Sequence, residues 1–158
     1  TLDLQWLTLG SQMKKQKEDI VNNKAHLPQI QLEYCKILIT GSPKYDNTDM
    51  LFQTLEKITE KKEKVCVITS TYFTRGEDKK LRGVDHLAAE WSYKSKRSKR
   101  LVIFHPEECL TVDDMYHIMA VYCERAVVFS DGRDCRISGL IKTLKEIKNP
   151  KHVKVISI

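Results

Sequence analysis

The chain has 158 residues, of which 41% are hydrophobic and 30% are charged. These values are typical of one globular domain with a core of its own. No apolar run approaches the roughly 20 residues of a transmembrane helix, so no membrane partner is predicted. The net charge of +6 favours anionic partners. Five cysteines without closely spaced pairs predict no metal site, and they favour an intracellular, reducing compartment such as the cytoplasm.

The first part of the chain differs from the rest in carrying no glycine-rich loop. We expect residues 1–35 to be an N-terminal extension or a linker from a larger protein, and residues 36–158 to be one domain. Ser11 is a candidate cap for a polar helix that ends near Asn23. Pro28 then interrupts the chain before the first strand.

Five short apolar runs, rich in β-branched residues, alternate with segments of helical periodicity. The runs are too short for helices and are typical of strands buried on both faces. Helices are predicted to start near Asn47, at Gly83, near Thr111 and near Ser138. This alternation predicts an α/β fold, with a doubly wound, mostly parallel five-stranded Rossmann-like sheet and helices on both faces. The predicted strands are 36–40, 64–69, 101–104, 126–129 and 153–156.

Glycines follow or precede these elements where loops would meet at the carboxyl edge of the sheet. Gly41 ends the first strand, Gly83 opens the second helix and Gly139 lies near the start of the last. Helix amino termini carry unpaired N–H groups and a partial positive charge, so a phosphate fits there. Each glycine also has a simpler explanation as a turn residue. Together they indicate a nucleotide-like ligand.

The spacing of these glycines matches neither a dinucleotide-binding GxGxxG nor a P-loop GxxxxGK[ST]. Instead, Ile-Thr-Gly-Ser at 39–42 and Arg-Gly-Val-Asp-His-Leu-Ala-Ala-Glu-Trp at 82–91 resemble the SLOG superfamily. They are most similar to its YspA-like members, which pair a TGSR loop with an RGADxLAxxWA helix start. The resemblance covers 36–158 and implies a Rossmann-like sheet that binds nucleotides or their derivatives, as in relatives such as DNA-processing protein A.

The resemblance also implies which residues line the pocket. By match with the family these are Gly41 and Ser42, Gly83 and Asp85, and Ser138 and Gly139. The PGGxGTxxE signature of the phosphoribohydrolase relatives is missing. In its place stands the segment 131–139, without a glutamate. A sensor or a degenerate enzyme is therefore favoured over a catalyst, and no cofactor is predicted.

Charged residues near the predicted pocket supply further candidates. Arg133 and Arg136 are candidate phosphate ligands, because a guanidinium fork matches phosphate oxygens. Arg82 either binds phosphate or pairs with Glu77 or Asp78. Two carboxylates, Asp85 and Asp131, are candidate catalytic groups if the protein instead cleaves an N-glycosidic bond. Asp85 in a first helical turn has an alternative role as a cap.

The densest charge is the segment 94–100, with five basic residues in seven. A solvated helix end is the default interpretation, and contact with a nucleic acid or an acidic protein is the sharper one. Three functions therefore stay open: nucleotide binding, N-glycosidic hydrolysis, and a nucleic-acid or assembly module that includes a homo-oligomer. The basic residues are Lys94, Lys96, Arg97, Lys99 and Arg100.

Overall fold

The computed structural model describes residues 17–21, 27–73, 80–105 and 111–158. Within these ranges strands alternate with helices along most of the chain, and no helix is both long and apolar enough to cross a bilayer. The elements are β1 (Glu18–Val21), β2 (Cys35–Gly41), α1 (Thr48–Thr59), β3 (Val65–Ser70), α2 (Gly83–Lys94), β4 (Ser98–Phe104), α3 (Val112–Tyr122), β5 (Arg125–Ser130), α4 (Cys135–Ile147), a short 3-10 helix (Pro150–His152) and β6 (Val153–Ser157).

All the described strands belong to one parallel sheet in the order β1-β4-β3-β2-β5-β6. The predicted fold class is thus confirmed. From β2 the chain moves outward through β3 to β4, and it then returns to β5 on the other side of β2. The direction of winding therefore reverses between β2 and β5. In open α/β sheets a crevice forms at the carboxyl ends of the strands at this switch point.

Alternate strand residues face two separate apolar cores. In β2, Leu38 packs on the side covered by α3 and α4, whereas Ile37 and Ile39 pack on the side of α1 and α2. Trp91 of α2 is 2% exposed in the second core, and its Nε1 donates to Glu56 at 3.0 Å. Its predicted place in the core is confirmed.

The helix starts follow local capping chemistry. Asn47 caps α1 by accepting from the Met50 amide at 3.1 Å, and Thr111 caps α3 by accepting from the Asp114 amide at 3.1 Å. Both caps agree with the prediction. The last helix starts earlier than the predicted Ser138, because Asp134 accepts from the backbone N–H of Arg136 and caps α4 one residue before Cys135.

Over the described residues the sheet has six strands, where five were predicted. The added strand, β1, falls in the segment predicted to be an extension, where a helix was expected to run to about Asn23. It pairs in register from Glu18↔Leu101 to Val21↔Phe104. An ion pair between Asp19 and Arg100 and a hydrogen bond from Tyr93 to Glu18 attach it to the domain. Ser11, the predicted cap, lies outside the described residues.

Gly83 allows α2 to approach the loop that follows β2. Its φ is +57°, and a Cβ placed on it would lie 2.2 Å from the carbonyl oxygen of Ser42 and 2.5 Å from the carbonyl carbon of Pro43. The next amide, that of Val84, donates to the same Ser42 oxygen at 3.2 Å. The space beside Gly83 is therefore filled by backbone of the protein itself.

Gly132 provides a matched control for Gly83. Its φ is also positive, at +78°, but nothing lies within 4 Å of a Cβ placed there. Gly132→Ala should lower the free energy of unfolding by about 1 kcal/mol, through backbone strain alone. Gly83→Ala should cost about 1–3 kcal/mol more, because Ser42 and Pro43 must move. Urea unfolding of both variants measures this difference, and equal losses would contradict the close approach.

Candidate functional site

A crevice of about 650 Å³ opens at the carboxyl edge of the sheet, where β2 and β5 lie side by side. It is formed by the loop after β2, the end of the described loop after β3, the start of α2, and the segment that joins β5 to α4. The lining residues are Ser42, Pro43, Lys44, Phe73, Arg82, Asp131, Arg133, Asp134, Cys135 and Arg136.

The crevice suits an anion. Lys44, Arg82 and Arg133 are exposed and line it. The residues at the amino termini of α2 and α4 also form part of its wall, and helix amino termini carry partial positive charge. Asp134 partly offsets these charges. Burial opposes its ionisation, but hydrogen bonds from Arg136 outweigh burial and lower the pKa of this carboxyl.

Arg136 lines the crevice, yet most of its hydrogen-bonding capacity is used within the protein. Its Nε and Nη2 donate to Asp134 at 3.3 and 3.0 Å. Its two terminal nitrogens also donate to the carbonyl oxygens of Tyr72, at 3.4 Å, and Phe73, at 3.0 Å. A guanidinium has five N–H donors, so little remains for a phosphate. Arg136 connects α4 to the loop after β3 through hydrogen bonds. Of the predicted pair, Arg133 is therefore the better-placed candidate for binding phosphate.

Asp85 lies beneath the crevice rather than in its wall. Its side chain is fully buried, and it accepts hydrogen bonds from the Thr40 hydroxyl at 2.9 Å and from the Ser70 amide at 2.9 Å. The amide of Gly41 donates to it as well. Burial raises the pKa of Asp85 to about 8, although these donors favour the charged form. Asp85 joins α2 to the ends of β2 and β3, a structural role other than the expected cap, and its burial leaves no surface for a reactant.

Gly41 ends β2 and precedes the part of the loop that lines the crevice. A Cβ on Gly41 would lie 2.2 Å from the carbonyl oxygen of Phe129, and the Ser42 amide donates to that same oxygen at 3.1 Å. Gly41 thus permits close packing of β2 against β5. Ser42 lines the crevice, and its Oγ accepts from the Lys44 amide at 3.3 Å.

Ser138 and Gly139 do not line the crevice. Both lie in the second turn of α4, and Ser138 is exposed. A Cβ on Gly139 would meet the ring of Tyr116 at 2.8 Å. The small size of Gly139 therefore accommodates an aromatic ring of α3 rather than a ligand. The match to the SLOG pattern assigned both residues to the pocket, and Gly139 was also expected at the entrance of this helix, which begins earlier, at Cys135.

Asp131 remains the catalytic candidate that reaches the crevice. It is exposed, and its Oδ1 accepts from the Arg133 amide at 2.8 Å.

Sequence reasoning did not assign Lys44 or Phe73 to the site. Lys44 had a usable signal, since it follows Ser42 and Pro43 in the same loop. Glu77 and Asp78, the suggested partners of Arg82, lie outside the described residues.

The basic segment 94–100 begins at the opposite edge of the sheet from the crevice, as expected. It starts at the last residue of α2, and its residues from Ser98 onward belong to β4. Arg97 pairs with Glu56 at 3.1 Å, and Arg100 pairs with Asp19. Lys94 lies over the ring of Phe52, 5.7 Å from its centroid. Lys96 and Lys99 are exposed. Intramolecular partners therefore occupy much of the predicted nucleic-acid surface.

A second groove, of about 660 Å³, lies at this amino edge. Its lining includes Lys61 and Lys62, just after α1, and Lys148, just after α4. Cations at these positions complement the negative carboxyl ends of the helices. Glu33 also forms an ion pair with Lys64 at 2.8 Å. The charges of this groove thus have structural explanations, whereas those of the crevice surround helix amino termini.

In comparisons with known proteins, no family model matches this chain, and no curated protein or solved structure shows significant similarity to it. The resemblance to the SLOG superfamily thus stays a prediction that rests on the residues 39–42 and 82–91.

The buried hydroxyls of Thr40 and Thr69 allow the hydrogen bond to Asp85 to be tested. Both side chains are fully buried in neighbouring strands, but only Thr40 contacts the carboxylate, and Thr69 Oγ1 has no partner in the described structure. Thr40→Val should lower the free energy of unfolding by about 1–3 kcal/mol at pH 9. Thr69→Val should be neutral or stabilising, since it removes an unpaired hydroxyl. Chemical denaturation measures both, and equal effects would contradict the assignment.

The raised pKa of Asp85 predicts a pH-dependent stability. At pH values between the ordinary pKa of an aspartate and the raised pKa of about 8, Asp85 holds a proton in the folded protein that it has released in the unfolded chain. The free energy of unfolding should therefore fall as the pH rises through this window, by up to about 1.4 kcal/mol per pH unit. Asp85→Asn removes this contribution, so the stability gap between parent and variant should narrow from pH 5 to pH 8. A constant gap in urea titrations would show that Asp85 does not titrate there.

Proposed function

We propose that this chain binds a nucleotide or a nucleotide derivative, with its phosphate in the crevice between β2 and β5, and acts as a sensor or a degenerate enzyme. The observation that carries the proposal is the convergence of Lys44, Arg82 and Arg133 with two helix amino termini at the topological switch point. A SLOG-like relationship, as proposed from the sequence, is consistent with this position.

The size of the crevice supports a ligand of this class. A volume of about 650 Å³ falls within the range of roughly 300–1,000 Å³ typical of small-molecule sites. Phosphate binds through the exposed cations, aided by the partial positive charge of the helix amino termini, while Pro43 and Phe73 supply apolar wall. A mononucleotide or a nucleoside diphosphate derivative such as ADP-ribose combines an anionic and an apolar part of suitable size.

A binding role is favoured over N-glycosidic hydrolysis. Asp85 is fully buried and hydrogen-bonded to Thr40 and Ser70. Asp134 caps α4 and pairs with Arg136. Of the carboxylates described in the crevice, Asp131 alone is exposed. Cleavage of a glycosidic bond commonly uses a pair of carboxylates in different protonation states.

Two charge-reversed pairs test the location of binding. Lys44→Glu with Arg133→Glu alters the crevice, and Lys96→Glu with Lys99→Glu alters the opposite edge by the same net charge. Mononucleotides and ADP-ribose should raise the melting temperature of the parent. The crevice pair should weaken binding at least about tenfold, because charge-assisted hydrogen bonds are lost. The control pair should stay within about twofold of the parent, since salt screens distant surface charge.

The same variants separate the alternatives. Loss of ligand binding in the control pair alone would place the site at the basic segment and contradict the proposal. Absence of stabilisation by any nucleotide at millimolar concentration would also count against it. Release of free base from a nucleoside monophosphate, abolished by Asp131→Asn, would instead establish hydrolysis.

A further inference from the structure

We propose that Asp85 is a positioning residue for the anion site: its hydrogen bonds hold the rim of the crevice, and its charge governs how tightly an anion binds there. This inference rests on the proposed function and adds a regulation of the same site by pH. Asp85 itself does not line the crevice.

A short chain of contacts connects Asp85 with the rim. Asp85 accepts from Thr40 and from the amide of Gly41 at the end of β2, and the next residue, Ser42, lines the crevice. From the helix side, the amide of Val84 donates to the carbonyl oxygen of Ser42 at 3.2 Å. Ser42 is thus held through Gly41, which donates to Asp85, and through Val84, which precedes Asp85 in α2.

The electrostatic effect has a definite sign. Asp85 is fully buried, so its negative charge is poorly screened by water when the group ionises. A negative charge beneath the site repels an anion, whereas the neutral acid does not. Burial raises the pKa of Asp85 to about 8, so the change falls near neutral pH. By linkage, a bound anion must in turn favour the protonated form.

Other charged groups lie on the elements packed around Asp85. Their effects on anion binding must be separated from the effect of Asp85. Among the described residues, Arg82 immediately precedes α2, and α2 carries His86, which pairs with Glu90 at 2.9 Å. Lys44 follows β2. His105 follows β4, and its Nδ1 lies 3.0 Å from the hydroxyl of Thr71. The crevice wall also contains Cys135, which is exposed and carries a free thiol.

Sulfate is a suitable probe because it stays a dianion throughout this range. Its dissociation constant is measured by calorimetry from pH 7 to pH 9 in a background carrying Cys135→Ser and His86→Gln. Loss of sulfate binding on adding Lys44→Glu and Arg133→Glu places the ion in the crevice. In the background protein, affinity should fall about fivefold or more as the pH rises, which is the size of a typical coupling between sites. With Asp85→Asn added, affinity should vary by less than about twofold.

The threonine pair keeps the test decisive if Asp85→Asn does not fold. Thr40→Val removes a donor that favours the carboxylate, so the midpoint of the affinity change should move to higher pH. Thr69→Val removes an equally buried hydroxyl without a described partner and should leave the midpoint unchanged. Crevice binding of sulfate with a profile that neither Asp85→Asn nor Thr40→Val alters would overturn this inference alone. No sulfate binding at any pH would overturn it together with the anion site.

Discussion

The architecture of the carboxyl edge depends on the hydrogen bonds of one buried carboxyl group. Asp85 contacts Thr40 of β2 and Ser70 of β3 from the first turn of α2. Burying a carboxyl group is costly unless hydrogen bonds satisfy it. Here the donors come from two strands that are distant in the sequence from the helix carrying the carboxyl group. The group therefore aligns the ends of two central strands with a helix, and the crevice opens beside this junction.

Glycine has a related role at the same junction. Gly41 lets β2 approach Phe129 of β5, and Gly83 lets α2 approach the loop at Ser42. In both places the glycine brings protein backbone against protein backbone. The crevice is a consequence of this packing, because it places Lys44, Arg82 and the segment 131–136 around one space. A glycine beside a binding site need not contact the ligand.

The sequence was most informative where the physical signal is local. The apolar run at Ile37–Ile39 predicted a doubly buried strand, and Asn47 and Thr111 predicted helix starts through their capping chemistry. β1 was missed because its pairing with β4 is a long-range contact that four residues cannot encode alone. The full burial of Asp85 and the hydrogen bonds of Arg136 likewise depend on distant partners. Gly139 was expected at the entrance of the last helix, whereas α4 begins at Cys135 and places Gly139 against the ring of Tyr116.

Under the proposed function, the crevice between β2 and β5 holds the phosphate of a nucleotide-like ligand. A crystal structure of the chain soaked with ADP-ribose and mononucleotides would locate that phosphate. We expect phosphate density within hydrogen-bonding distance of Arg133 or Lys44, close to the loop at Ser42. Phosphate density in the amino-edge groove near Lys62 and Lys148, or along the segment 94–100, with an empty crevice, would contradict it.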